Sequence, residues 1–468
     1  MPASLVVSLR DDVHATTQPE GDIRLEWPGG RIIVPGPGPG LAAAIRQLAD
    51  PGAPEDVLVD SAAQGDGVGD VARLYYHLTR WGQLGLLRYT LAADGQALAT
   101  LEPLSPQFTF QRCEAAPGTR YVLSRFAYCR RDDASLVLES PRAFCRIVFT
   151  GAVGAALLSA LAQPAGLDDL TVPHARPLLN LLLDAGMLTA ADEGAADEDR
   201  DAALRQWEFH DLLFHSRSRA GRAGGPYAGT YSYRDEIPAL PAVKPARAGA
   251  MIPLDRPDLA ALGEQDAPFT AVLERRRSVR AYGDNPITLT QLGAFLYRTA
   301  RVRRVMAPTS GTPYETSSRP YPAGGACYEL ELYAAVNRCE GLDPGLYHYD
   351  PLAHALRRVR DMDAPMQDLL NEWAWVTAPC PLQIAFGITA RFQRVSWKYR
   401  GMAYAVMLKD LGALYQTMYL VAESMDLAPC AVGGGSTDLL AQTIGAEYHV
   451  ESAIGEFLLG SRPPGRGG

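Results

Sequence analysis

Lysine is almost missing from this chain. Of its 44 basic residues all but Lys244, Lys398 and Lys409 are arginine. Need for positive charge cannot explain the three exceptions, because the guanidinium supplies that everywhere else. What lysine adds is an amine able to lose its proton. The seven cysteines (113, 129, 145, 327, 339, 380 and 430) are odd in number, scattered and never spaced C-x-x-C. That excludes a disulfide framework and a thiolate zinc site. Its eight histidines include no i, i+4 pair, so no metal is expected. No run reaches about 18 apolar residues, and Met1-Pro2-Ala3-Ser4-Leu5 does not open a basic-then-apolar signal, so a cytoplasmic protein without a membrane span is expected. A net charge of -9 and a pI near 5.5 exclude a general polyanion binder.

What is there is ordinary globular material, 47% apolar and 21% charged, at a length that suits two or three domains. The most concentrated chemistry lies in Glu274–Tyr282, where Arg275, Arg276, Arg277 and Arg280 crowd around Ser278. Like charges this close repel unless a multivalent anion neutralises them, and phosphate matches the planar arginine fork. A second half of such a grip is expected at Gly460-Ser461-Arg462, delivered by the apolar run Phe457-Leu458-Leu459.

The first 200 or so residues repeat themselves. Arg31-Ile32-Ile33-Val34 followed by Ile45, Leu48 and Pro51 is echoed by Arg146-Ile147-Val148-Phe149 followed by Leu158, Leu161 and Pro164. Leu74, Leu78, Gly82 and Leu84 match Leu178, Leu182, Gly186 and Leu188. Each copy reads strand, helix, loop, helix ending at glycine, strand, the outline of a winged helix-turn-helix. The expected second helices carry too few basic residues to make the stripe that duplex DNA requires, so no nucleic-acid partner is expected. Strand addition by an extended peptide, or scaffolding, suits such a unit better. Trp207 to Arg219 reads as an amphipathic helix with a basic tip. For its His210 and His215, packing is expected over catalysis, since neither has a motif partner. Pro and Gly thicken from Gly221 to Pro253 as in a linker.

From about residue 262 a last domain is expected. A helix runs through Arg276, and a second runs from a Thr288 cap to Ala300. The Pro/Gly loop around Pro322, Ala323, Gly324 and Gly325 comes next, then strands at Leu330–Val336, Gly345–Tyr349 and Leu356–Val359. Residues 402–427 are apolar almost all round and read as a helix buried on every side, hence a subunit interface. Gly433-Gly434-Gly435 follows.

This order of parts, Arg-Arg-Ser-x-Arg, Arg-Pro-Tyr-Pro-Ala-Gly-Gly-Ala-x-Tyr, Gly-Leu-Tyr-His-Tyr-Asp-Pro, Lys398-Tyr399, the apolar helix, Gly-Gly and Gly-x-Arg, resembles the azoline dehydrogenases of the SagB and microcin-oxidase type within the nitroreductase-like FMN superfamily. The likeness is strong over 262–468 and looser over 121–220, which look like the peptide-clamp region of longer members. It implies an α+β fold: winged-helix-like units at 1–118 and 119–200, a helix and linker at 201–261, and an FMN domain at 262–468. It implies that Arg276, Arg277, Ser278 and Arg280 hold the FMN phosphate and ribityl chain, with Arg462 closing on the phosphate. Pro322, Ala323, Gly324 and Gly325 would lie along the isoalloxazine, with Gly433 and Gly434 at its other edge. Ala323 stands where members often carry Ser, and Ala413 and Thr417 where they often carry His and Asn.

The resemblance assigns the base to Lys398-Tyr399. A desolvated lysine gives up its proton more readily, and a neighbouring ammonium is expected to lower the phenol. It further implies oxidation of thiazolines or oxazolines in a heterocyclised precursor peptide, a cyclodehydratase partner, oxygen as acceptor, and a homodimer with two flavins. The rival readings are an NAD(P)H-dependent nitroreductase and a non-catalytic peptide-binding protein with a relic flavin domain.

Overall fold

The computed structural model describes residues 3–464 other than 66, 193–194, 223 and 248. The chain divides into two compact units, 1–225 and 226–468, whose outermost residues, like those of the expected first and last domains, lie outside the described ones. Among the described residues no helix is long and apolar enough to cross a membrane.

In the first unit, strands form one antiparallel sheet in the order Ala53–Pro54, Ser4–Leu9, Leu87–Ala93, Gln96–Pro103, Cys145–Phe149, Ser135–Glu139 and Tyr128–Asp132. Leu87–Ala93 alternates buried and half-buried residues, the period of a strand with one face on a core. The two copies of the duplication meet in this sheet: Gln96–Pro103 pairs with Cys145–Phe149, Ala99 opposite Phe149 and Pro103 opposite Cys145. Segments 1–118 and 119–200 therefore share one sheet and one hydrophobic core, because each copy alone would leave an open strand edge.

The repeat is visible in the backbone, with two corrections to its expected outline. The first copy has three helices, Pro39–Ala49, Glu55–Ala63 and Val68–Gln83, with a helix where a loop was expected. Glu55 and Asp56 favour that helix from its first turn, and Leu58 and Ala62 anchor it. The second copy has a single 3-10 turn there, Leu167–Asp169, between helices Val153–Ala160 and Ala175–Asp184. The glycine that ends the last helix is Gly85 (φ 66°), not Gly82, and it corresponds to Gly186 (φ 65°). Both ends close alike, Leu86 N–H donating to Trp81 O at 2.9 Å and Met187 N–H to Leu182 O at 3.0 Å. The amphipathic helix with the basic tip is Phe209–Arg217.

The second unit is built on a seven-stranded antiparallel sheet ordered Met251–Pro253, Ala355–Asp361, Gly345–Asp350, Leu330–Val336, Ile384–Arg391, Glu451–Ser461 and Leu427–Val432. Helices cover both faces. Leu289–Ala300 and the central helix Ala403–Ser424 pack with Leu332, Ala334 and Phe386 on one side. Ala364–Ala374 and Thr437–Ile444 pack with Tyr333, Ala335 and Leu458 on the other. Burial on both faces explains the continuous apolar runs at the central strands. Thr288 caps the helix Leu289–Ala300 in a capping box with Gln291.

Two further expectations are corrected. The segment from 226 to 253, read as linker, is part of this unit: Met251–Pro253 adds an edge strand, and Ala228–Gly229 pairs with Tyr399–Arg400. Its Pro/Gly content reflects an extended path over the surface rather than detachment. The central helix is not buried on every side, for Tyr404, Leu408 and Gly412 are exposed in the single chain.

Candidate active site

Lys398 follows the short helix Phe392–Ser396 and is held at its backbone from two directions. Its N–H donates to Val395 O at 3.1 Å, and its carbonyl accepts from Thr230 N–H at 3.0 Å and Tyr231 N–H at 3.1 Å. The half-buried side chain runs among three phenol rings. Nζ lies 4.9 Å from the Tyr399 ring centre, 5.1 Å from Tyr314 and 5.9 Å from Tyr231, within cation–π range. It donates to Tyr314 Oη at 2.8 Å, and Tyr314 donates to the carbonyl of Gly325 at 2.6 Å. The lysine-tyrosine pair is thus brought against the Pro/Gly loop. Gly325 is left-handed (φ 61°), and a Cβ there would collide with Lys398 Nζ and lie 2.7 Å from Tyr399 Oη. Only glycine admits both side chains. Pro322 and Gly325 are exposed, and Ala323 caps the 3-10 turn Gly324–Ala326.

The electrostatics correct one expectation. The phenol of Tyr399 is pushed up to about 12, not down, by burial and then by the field of Cys327, Tyr231 and Asp410. It stays protonated at neutral pH and serves as a donor. Burial raises Tyr314 as well. Beneath the loop, Asp410 of the central helix accepts Gly324 N–H with both oxygens, at 2.9 and 3.0 Å. The fully buried Glu329 faces it. Burial raises both carboxyls above the usual carboxylate range; the charge of Asp410 raises Glu329 further, whereas the Gly324 N–H and the Glu329 contact hold Asp410 down.

The arginine cluster and the C-terminal arginine run side by side. Val279 N–H donates to Pro429 O at 2.8 Å and Gly283 N–H to Ser461 O at 3.1 Å. Ser278 Oγ shares a hydrogen bond with Tyr419 Oη at 2.7 Å, the Arg276 guanidinium lies over the Tyr419 ring at 5.3 Å, and Arg280 lies beside Cys430. Arg277 is exposed. Arg462, expected to close on a phosphate, instead donates to the buried carboxylate of Glu423 at 2.6 Å and to Leu427 O at 3.0 Å; Arg275 reaches the same carboxylate at 3.5 Å. Gly433 and Gly434 follow the strand Leu427–Val432, and a Cβ on either would meet nothing within 4 Å.

These residues fit a flavin nucleotide. Among the described residues neither Arg276 nor Arg280 pairs with a carboxylate, so both are available to an anion. The exposed glycines at 325, 433 and 434 leave backbone open to a flat group. Tyr314, Tyr231, Glu329 and Asp410 were missed in the sequence. Asp410 in the apolar helix and Glu329 directly before a strand were the only signals, each a carboxylate set among apolar neighbours.

Family models match three stretches of the chain. The ThcOx helix turn helix domain matches 1–112, the cyanobactin oxidase ThcOx 121–224, and the nitroreductase family 273–456. Together these matches support a microcin/cyanobactin azoline oxidase of nitroreductase fold. The nitroreductase match takes in Lys398 and the central helix but stops short of Arg462. A nitroreductase from Methanocaldococcus jannaschii is 28% identical over 188 residues, 40% of this chain and 85% of that protein. The microcin B17-processing protein McbC of Escherichia coli is 27% identical over 149 residues, 29% of this chain and 52% of that one. Among solved structures, the Escherichia coli microcin synthetase McbBCD complex with truncated pro-MccB17 bound has a TM-score of 0.33 at 18% identity, covering 53% of this chain and 91% of the matched one.

Proposed function

We propose that this oxidase converts thiazoline or oxazoline rings of a heterocyclised precursor peptide to azoles, with FMN as its bound cofactor and oxygen as the final acceptor. The observation that carries the reading is the seat of Lys398, a rare lysine set in a cage of tyrosines against an exposed glycine loop. Aromatising an azoline removes a proton from one ring carbon and a hydride from its neighbour. Lys398 is the base that takes the proton at Nζ. Tyr399 keeps its own proton at neutral pH and donates a hydrogen bond to the ring heteroatom or the adjacent peptide carbonyl. Arg276, Arg277, Ser278 and Arg280 hold the phosphate and its chain; Pro322 to Gly325, with Gly433 and Gly434, border the flat ring. When bound, FMN supplies the hydride acceptor. Arg462 acts from behind: by sharing Glu423 with Arg275 it offsets the negative charge that this carboxylate brings to the arginine cluster.

The N-terminal unit holds the peptide or docks the cyclodehydratase, and a homodimer forms on the face of the central helix that carries Tyr404 and Leu408. The test is intact mass measurement of a heterocyclised peptide before and after incubation. A loss of about two mass units per ring is expected. Lys398→Ala should keep the flavin and abolish the loss. Full activity in that variant refutes the assignment of the base. Rapid flavin reduction by NADPH with no change in the peptide points to a nitroreductase instead.

A further inference from the structure

Tyr314 lies outside every motif of the chain, in the stretch Thr312-Pro313-Tyr314-Glu315, yet its hydroxyl joins Lys398 to the glycine loop. We infer that Tyr314 is a positioning residue that orients the Lys398 amine for proton abstraction, a role that rests on the reading of Lys398 as the base. Direction of donation decides this. The single phenolic proton of Tyr314 is committed to the carbonyl of Gly325 at 2.6 Å, so the oxygen can offer Lys398 only its lone pairs, at 2.8 Å. A hydroxyl free to donate would cap the amine lone pair and compete with the substrate proton. This one accepts an N–H instead, which fixes that hydrogen and leaves the nitrogen lone pair directed elsewhere.

The surroundings hold Tyr314 in that role. Its ring is 2% exposed. It packs edge-on to Trp397 at 6.0 Å and against Tyr231 at 6.3 Å, with the Arg394 guanidinium 5.7 Å from its centre. Arg394 in turn donates to the carbonyls of Glu315 at 3.0 Å, Cys327 at 2.7 Å and Leu240 at 2.6 Å, tying together the segments on either side of the phenol. The groups facing the hydroxyl are Lys398, Tyr399, Tyr231 and Cys327. No carboxylate is hydrogen-bonded to it among the described residues. The phenol itself stays protonated, so the arrangement does not invert within the working pH range.

The scarcity of lysine makes the test direct, since protein labelled with 13C at lysine Cε gives only three signals, from Lys244, Lys398 and Lys409. In Tyr314→Phe the ring stays and the acceptor goes. An acceptor oxygen binds an ammonium more strongly than an amine, so the Lys398 signal should titrate at lower pH than in the wild type while the Lys244 signal stays fixed. The rate of ring oxidation should fall about tenfold to a hundredfold at saturating peptide, with KM little changed and the ascending, acid-side limb of the pH profile displaced to lower pH by the same interval. Tyr231→Phe removes a hydroxyl from the same cage with no bond to Lys398 and should leave the titration unmoved. Identical titrations in Tyr314→Phe and wild type, equal shifts in both variants, or a Tyr314→Phe protein that cannot fold would each overturn the inference. Wild-type protein that oxidises no azoline overturns the reading beneath it instead, whatever the lysine signals do.

Discussion

Gly325→Ala is the most exacting probe of this site, because the structure states what the added carbon meets. The residue is left-handed at φ 61°, which costs an L-residue about 1–2 kcal/mol. For a unit of this size each kcal/mol lowers Tm by about 2–4 °C, so a fall of about 2–8 °C is expected. The functional effect is larger. The new Cβ would stand 2.7 Å from Tyr399 Oη where ordinary contact begins at 3.4 Å, and nearer still to Lys398 Nζ. Both groups must retreat by between about 0.7 and 1 Å, and a misplacement of about 1 Å costs roughly a hundredfold in rate, or about 2.7 kcal/mol of barrier. The assay is the initial rate of mass loss on a heterocyclised peptide, with bound flavin quantified by absorbance and unfolding followed by calorimetry. A variant with undiminished flavin, a rate within about threefold of wild type and an unchanged Tm would refute the account of why glycine stands there.

Two further outcomes follow from the same unit. Glu329 and Asp410 hold their proton more tightly folded than unfolded, so what they contribute to stability is complete at low pH and is lost as pH rises from the ordinary carboxylate range through about 8, the value for Glu329. Glu329→Gln removes that loss. The Tm difference, variant minus wild type, should therefore grow from pH 5 to pH 8.5, by at most about 1.4 kcal/mol of stability per pH unit, and a flat difference in scanning fluorimetry contradicts the raised Glu329 carboxyl. Leu408, 37% exposed on the central helix, sits on the proposed subunit face. Leu408→Asp is expected to halve the mass seen by sedimentation equilibrium, and an unaltered dimer would move the interface elsewhere.

The elements that the sequence announced are those whose burial is simple. Leu330–Val336 is buried along its whole length and is apolar but for Glu331, and Thr288 with Gln291 declares its helix through local hydrogen bonds. Lys398 stood out because a rare lysine among arginines is a chemical choice. Tyr314 was not, since its meaning comes from residues 84 and 11 positions away. The pairing of Ala228–Gly229 with Tyr399–Arg400 is two residues long and leaves no periodic trace, so the segment that supplies Tyr231 read as linker. Tyr399 was misjudged in sign because a neighbouring ammonium is written in the sequence whereas burial is not. Arg462 lies beside the arginine cluster through the Gly283–Ser461 contact, but Glu423, its partner, is an acid near the end of an apolar helix and gave no sign of reaching it.

The strand Glu451–Ser461 lies between Ile384–Arg391 and Leu427–Val432, both made before it on the ribosome. Until it emerges, a nascent chain displays two unsatisfied strand edges flanking a gap, each a template for pairing with another copy. Lys398 and the central helix lie between those two earlier strands in sequence, so the catalytic half acquires its shape only when the gap is filled. Production at low temperature, or with a chaperone that shields open edges, should therefore raise the yield of folded protein more than any change to its surface.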